Sequence, residues 1–131
     1  MKTVAVSGYF DPLHIGHLQY LKMASGLGDR LVVILNNEKQ TMLKRGTKPF
    51  MPAEDRKEIL EELKCVDEVF ISIDEDESVC RSLEFIIPDI FAKGGDRNID
   101  NILEADICKE FGIKIIDGIG SKIQSSSELI K

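Results

Sequence analysis

Short β-branched runs alternate with longer amphipathic stretches along the chain, an order that buries both kinds of element when helices cover the faces of a parallel sheet. Strands are expected at Thr3 to Ser7, Leu31 to Leu35, Glu68 to Ser72, Ile90 to Lys93 and Lys114 to Ile116. Three of these are nearly continuous apolar runs, as strands buried on both faces require. Helices are expected at Ile15 to Ser25, Ala53 to Leu63, Ser78 to Ile86 and Ile102 to Phe111, with a short last one from Ser126 to the end. In the second helix Ile59, Leu60 and Leu63 recur at helical spacing, Pro52 suits a first turn, and Glu54 and Asp55 complement the positive helix start. Gly28 and Gly112 read as helix stops, and Pro88 breaks the third helix before its strand. Asn36 to Met51, sixteen residues rich in Lys, Asn and Thr, shows no sustained apolar period and reads as a loop, of a length that is commonly functional.

A chain of 131 residues, 43% hydrophobic and 31% charged, matches one packed α/β domain over residues 1–131 with a five-stranded parallel sheet flanked by helices. With 17 Lys+Arg against 23 Asp+Glu the formal charge is −6, which repels a phosphate backbone and argues against a general nucleic-acid binder. No apolar run approaches the roughly 18 residues needed to cross a bilayer. Met1-Lys2-Thr3 leads straight into Val4-Ala5-Val6 without a signal-peptide core, so no membrane association and a cytoplasmic location are expected. Cys65, Cys80 and Cys108 are odd in number and far apart with no CxxC pair, the pattern of reduced structural thiols.

In an open parallel sheet, ligands bind beyond the carboxyl ends of the strands near the switch in strand order, so chemistry is sought after each strand. After the first comes Ser7-Gly8-Tyr9-Phe10-Asp11-Pro12-Leu13-His14-Ile15-Gly16-His17. Gly8 permits close backbone approach and Pro12 stiffens the turn. His14 and His17, three apart at a helix mouth, project from neighbouring positions on one face. They are the only histidines in the chain. Two imidazoles and a helix N-terminus converging on one place favour an anion, and imidazoles add donors to oxygens that gain charge during phosphoryl or nucleotidyl transfer. The alternative is that they cap or pack the helix.

GYFDPLHIGH resembles the GxFDxxHxGH signature of the cytidylyltransferase-like nucleotidylyltransferases, and the later loops resemble the small members acting on glycerol 3-phosphate and heptose phosphates. The resemblance implies a Rossmann-like domain and transfer of a nucleoside monophosphate from CTP or ATP to a small phosphorylated alcohol or sugar. Pyrophosphate is then released without a covalent enzyme intermediate. It implies that His14 and His17 stabilise the α-phosphate and that Gly8, Tyr9, Phe10 and Asp11 form the nucleotide-binding loop. Asp11 is expected near the triphosphate and its Mg²⁺, or as the group that orders the loop, with helix capping as the third reading. Lys44, Arg45 and Lys48 supply cations beside the phosphates, Lys44 as the catalytic one and Lys48 toward the substrate. Arg56 matches a family arginine and is assigned to substrate, against a surface ion pair.

Lys93-Gly94-Gly95-Asp96-Arg97 provides paired glycines for a flat ligand and an acceptor for a ribose hydroxyl or base amine. The KGGD string is closer to the heptose-phosphate adenylyltransferases and tilts the donor toward ATP. Arg97, assigned to substrate, replaces an aromatic residue common in the family. Ser125, Ser126 and Ser127 occupy the place of the family's ISTT-type phosphate motif, and Lys122 stands near the position of an absent arginine, assigned to substrate. Two further readings are an adenylyltransferase for a flavin or pantetheine phosphate and a nucleotide-binding module without catalysis. A homo-oligomer is expected from the resemblance.

Overall fold

The computed structural model describes residues 1–11, 13–94 and 103–116. Pro12, Gly95, Asp96, Arg97, Lys122, Ser125 to Ser127 and the expected terminal helix lie outside the described residues.

Five strands, β1 (Thr3–Gly8), β2 (Arg30–Leu35), β3 (Glu68–Ile71), β4 (Ile90–Ala92) and β5 (Lys114–Ile116), form one parallel sheet in the order β3-β2-β1-β4-β5. The expected α/β class and strand positions hold to within a residue or two. β1 is central, and the chain winds outward from it first through β2 and β3 and then through β4 and β5, which places the switch in order between β1 and β4. Both faces are covered. Val4 and Val6 of β1 pack with Val33 and Leu35 against α1 (Ile15–Ser25) and α3 (Ala53–Glu61), whereas Ala5 joins Ile34 and Phe91 under α4 (Cys80–Ile86) and α5 (Ala105–Phe111). This two-sided burial is why the strands read as unbroken apolar runs. Tyr20 of α1 donates its hydroxyl to the Ala92 carbonyl at 2.7 Å, tying that helix to the end of β4.

The segment expected to be a loop contains a helix, α2 (Glu38–Arg45). Asn37 and Gln40 form a reciprocal capping box, and Gly46 ends the helix at φ 76. Its inner face is polar: Gln40 and Thr41 are fully buried, and Asn37 Nδ2 donates to the carbonyls of Ser72 and Asp74, each at 2.9 Å. An apolar-period search is blind to a helix docked by amides. Gly28 is not the helix stop, since Gly26 caps α1. A Cβ on Gly28 would stand 2.8 Å from the Lys2 carbonyl oxygen and 2.7 Å from Val4 Cγ2, so Gly28 is there for close approach. Gly112 does end α5, at φ 70. The three cysteines are free, and Cys108 sits in the second core, where burial first and Glu104 second push its thiol up to about 12. No described helix is long and apolar enough to cross a membrane.

The connection from α2 to α3 is fastened to the loop after β1 by one carboxylate. Asp11 accepts the backbone N–H groups of Phe50 (2.7 Å) and Met51 (3.0 Å) and pairs with Arg45 Nη1 (2.9 Å), while Arg45 Nη2 donates to the Asp11 carbonyl at 2.8 Å. Arg56 lies beneath, 1% exposed, donating to the carbonyls of Met51, Tyr9 and Asn36. The surface ion pair is not what the fold makes of Arg56: it is a buried strut among main-chain carbonyls, with Nη2 left without a hydrogen-bond partner among the described residues, and its assignment to substrate stays a proposal.

Two stability outcomes are expected. Gly28→Ala should cost about 1–3 kcal/mol, read by denaturant unfolding, because the backbone oxygen cannot yield as a side chain would. For Asp11, burial works to raise the pKa, but the Phe50 and Met51 N–H groups and Arg45 outweigh it and hold the carboxyl below its ordinary 3.8. A depressed folded pKa gives stability that is present above the unfolded value and lost as pH falls through the folded one. Asp11→Asn should therefore destabilise by about 1–3 kcal/mol at neutral pH, with the gap to wild type closing below about pH 4; a gap constant from pH 7 to 3 would contradict this.

Candidate active site

Two adjoining cavities open at the carboxyl end of the sheet. The larger, about 370 Å³, is lined by Gly8 at the end of β1, Asn36 after β2 and Lys93 after β4, with Glu104 across it. The smaller, about 220 Å³, is lined by Phe10, Asp11, His17 and Arg45, and the two share Tyr9 and Lys44. Both lie where the order of strands reverses, the place where an open α/β sheet leaves a crevice.

The histidines do cap α1, and the capping fixes their chemistry. His14 is the N-cap, and its Nδ1 accepts the Gly16 N–H at 3.1 Å. His17 Nδ1 accepts the His14 N–H at 3.2 Å, completing a capping box made of imidazoles. A main-chain N–H can only donate, so each Nδ1 must be unprotonated and each neutral ring carries its hydrogen on Nε2. Neither Nε2 has a hydrogen-bond partner among the described residues. The rings stack with centroids 3.8 Å apart and an interplanar angle of 27°. Burial first, and the neighbouring His14 second, lower the His17 pKa, which keeps that ring neutral at pH 7. The stacked rings thus keep their Nε2–H groups without a partner among the described residues at a positive helix start, His17 lining the smaller cavity and His14 exposed beside it, and the capping and anion-binding readings are compatible.

Phe10 lines the smaller cavity and also takes a core position that the sequence did not foretell. Its ring is 2% exposed and belongs to the core, edge-on to His17 at 5.0 Å between centroids, with the backbone at φ 48. It supports the histidine from below. A Cβ on Gly8 would lie 2.8 Å from this ring, so the glycine makes room for Phe10 as well as lining the cavity. Asp11 has the loop-ordering role of its three readings. Its side chain has no exposed surface and both oxygens are occupied by N–H donors, so it does not fit as a ligand of Mg²⁺.

Lys44, in the last turn of α2, holds its ammonium 4.7 Å from the centre of the Tyr9 ring, at the seam of the two cavities. Its neighbour Arg45 is locked to Asp11, so the helix turn that carries Lys44 is fixed against the loop that carries the histidines. Lys48 is exposed and lines neither cavity. Lys93 lies across the larger cavity, with Nζ 3.5 Å from Ser7 Oγ and 5.4 Å from the centre of the Phe91 ring, and Gly94 follows it. Asn36, Gln40 and Glu104 escaped the sequence reading. The Asn37-x-x-Gln40 spacing was the available signal for the first two, whereas nothing local marked Glu104.

The Cytidylyltransferase-like family model matches residues 5–127. The FAD synthase of Pyrococcus abyssi is 37% identical over 112 residues, covering 86% of this chain and 75% of the relative, and that of Ferroglobus placidus is 40% identical over 87% and 72%. The bifunctional protein HldE of Citrifermentans bemidjiense is 37% identical over 99% of this chain, which spans 26% of that longer protein. A crystal structure of the lipopolysaccharide core biosynthesis protein from Thermoplasma volcanium superposes with a TM-score of 0.73 at 30% identity, over 89% of this chain and 95% of that one. The doubly wound sheet, the paired histidines at its switch point and this match over nearly the whole length have one explanation: the chain belongs to the Cytidylyltransferase-like family and is a nucleotidyltransferase.

Proposed function

We propose that the chain transfers AMP from ATP to a small phosphorylated alcohol or sugar, releasing pyrophosphate. The Nε2–H groups of the two stacked histidines in the capping box, with His17 and Lys44 lining the same cavity, carry this reading. An oxygen of the acceptor phosphate attacks the α-phosphorus in line. A new P–O bond forms, the bond from the α-phosphorus to the bridging oxygen breaks, and pyrophosphate leaves with that electron pair. His14 and His17 donate to the α-phosphate oxygens as charge builds there, already oriented, so little reorganisation is needed. Lys44 balances charge between the two phosphates. Mg²⁺ would supply charge neutralisation as the counter-ion of the triphosphate, and Asp11 is not among the residues that would hold it.

ATP is preferred to CTP as donor because the curated relatives include FAD synthases, whose product contains an AMP moiety. The same relatives favour FMN as a second acceptor. Lys48, Arg97, Lys122 and the Ser125 to Ser127 cluster remain proposed ligand contacts, with Lys93, Gly94, Gly95 and Asp96 on the nucleotide. We further expect a cytoplasmic homo-oligomer, and a monomeric mass by light scattering would contradict the second part.

His14→Asn separates capping from catalysis, since asparagine is a strong N-cap but brings no donor to the place of Nε2. It should retain the unfolding midpoint within a few degrees and lose about 10²–10³ in kcat, measured as pyrophosphate release with ATP or CTP and glycerol 3-phosphate, a heptose phosphate or FMN. Wild type that binds nucleotide yet releases no pyrophosphate with any of these would leave a binding module in place of an enzyme.

A further inference from the structure

Asn36 lines the larger cavity and is only 4% exposed. Its main chain is committed, the N–H to the Gly8 carbonyl at 2.9 Å and the carbonyl to Arg56 Nη1 at 3.3 Å. The direction of its side-chain amide follows from Gln40, which is fully buried. Gln40 Nε2 lies 2.7 Å from the Asp76 carbonyl and 2.8 Å from that of Ser78, and two carbonyls can be served only by an NH₂ group. Gln40 Oε1 is therefore the acceptor, and it receives the Asn37 N–H and Asn36 Nδ2, each at 3.0 Å. Asn36 Oδ1 must then point away from Gln40, and no donor meets it among the described residues. Glu104 repeats the pattern on the same cavity: it is 4% exposed, Oε2 accepts the Val79 N–H at 2.9 Å, and Oε1 has no donor among the described residues.

An acceptor held in one orientation, with no protein donor and open to a polar cavity, is available to a donor that a ligand brings. We infer that Asn36 Oδ1, oriented by the Gln40 relay, reads a hydroxyl of the phosphorylated acceptor and is a specificity-determining residue of this site. This rests on the transferase reading above. Lys44 takes the phosphate end, while Asn36 Oδ1 and Glu104 Oε1, which meet no donor among the described residues, select hydroxyl donors next to it. Glycerol phosphate, heptose phosphates and the ribityl phosphate of FMN share this arrangement, so Asn36 serves either acceptor reading. A plain alkyl phosphate lacks it.

The test is calorimetric titration of the full chain with a non-hydrolysable ATP analogue present. Glycerol 3-phosphate, a heptose 1-phosphate and FMN are compared with propyl phosphate, which has the phosphate and no hydroxyl. Wild type should bind at least one of the hydroxylated probes ten or more times tighter than propyl phosphate. Asn36→Leu should bring that ratio to within about twofold, with propyl phosphate and the ATP analogue bound as before. An undiminished ratio in Asn36→Leu overturns the inference, as does equal weakening of all phosphates. Should Asn36→Leu fail to fold, wild type without hydroxyl preference still overturns it, and Asn36→Ala with an undiminished preference does the same. An ATP analogue that binds while no polyol phosphate does refutes this inference and leaves the nucleotide site standing, whereas absence of nucleotide binding refutes the transferase reading itself.

Discussion

A single buried carboxylate makes the crevice possible. Asp11 sits where a charge is costly unless it is paired and hydrogen-bonded, and two backbone N–H groups together with a guanidinium meet that demand. Because the donors come from α2 and from the connection beyond it, the loop after β1 and the turn carrying Lys44 are parts of one hydrogen-bonded unit. Arg56 reinforces the unit from below by collecting carbonyls from both loops and from the end of β2. The acid that the family resemblance offers to a metal is thus consumed in holding the backbone, and the cations that surround it divide their work: Arg45 holds position while Lys44 keeps its charge at the crevice.

The imidazole capping box shows how one geometric demand satisfies another. A helix start needs acceptors for its first N–H groups, and an anion site needs donors at the same spot. Histidine has one nitrogen for each task, and engaging Nδ1 with the main chain leaves Nε2 as a donor with no rotational freedom to lose. Phe10, in a left-handed conformation uncommon for a bulky residue, braces the second ring from the core side. Protonating either Nδ1 would remove a cap acceptor, so the neutral rings that suit the helix are also the form poised for phosphate.

Most of the architecture was legible because the strands are apolar on both faces and Gly112 and Pro88 mark ends that the backbone respects. The miss over α2 has a definite cause: its inward residues are Gln40 and Thr41, which carry no hydrophobic period, and only the cap spacing and Gly46 betrayed a helix. Gly28 misled because close packing and helix termination both select glycine. Within the site, His14, His17 and Lys44 could be read from their loops, since the fold sends strand ends to one edge. The burial of Arg56 and of the Phe10 ring could not, because it depends on carbonyls and core residues that are distant in sequence. Nor could the orientation of an asparagine amide, which is settled by a second amide and two main-chain oxygens across the fold.

The Tyr20 bond to Ala92 bears on the shape of the crevice. One wall, formed by α1 with its histidines and by β4, is tied through a part-buried phenol and the apolar core beneath it. The opposite wall is α2, docked by amide-to-carbonyl bonds and tied to the histidine loop by the Arg45–Asp11 pair. The two walls therefore share their fastenings. A ligand meets the lysine and the histidines at a spacing that the folded chain has already set.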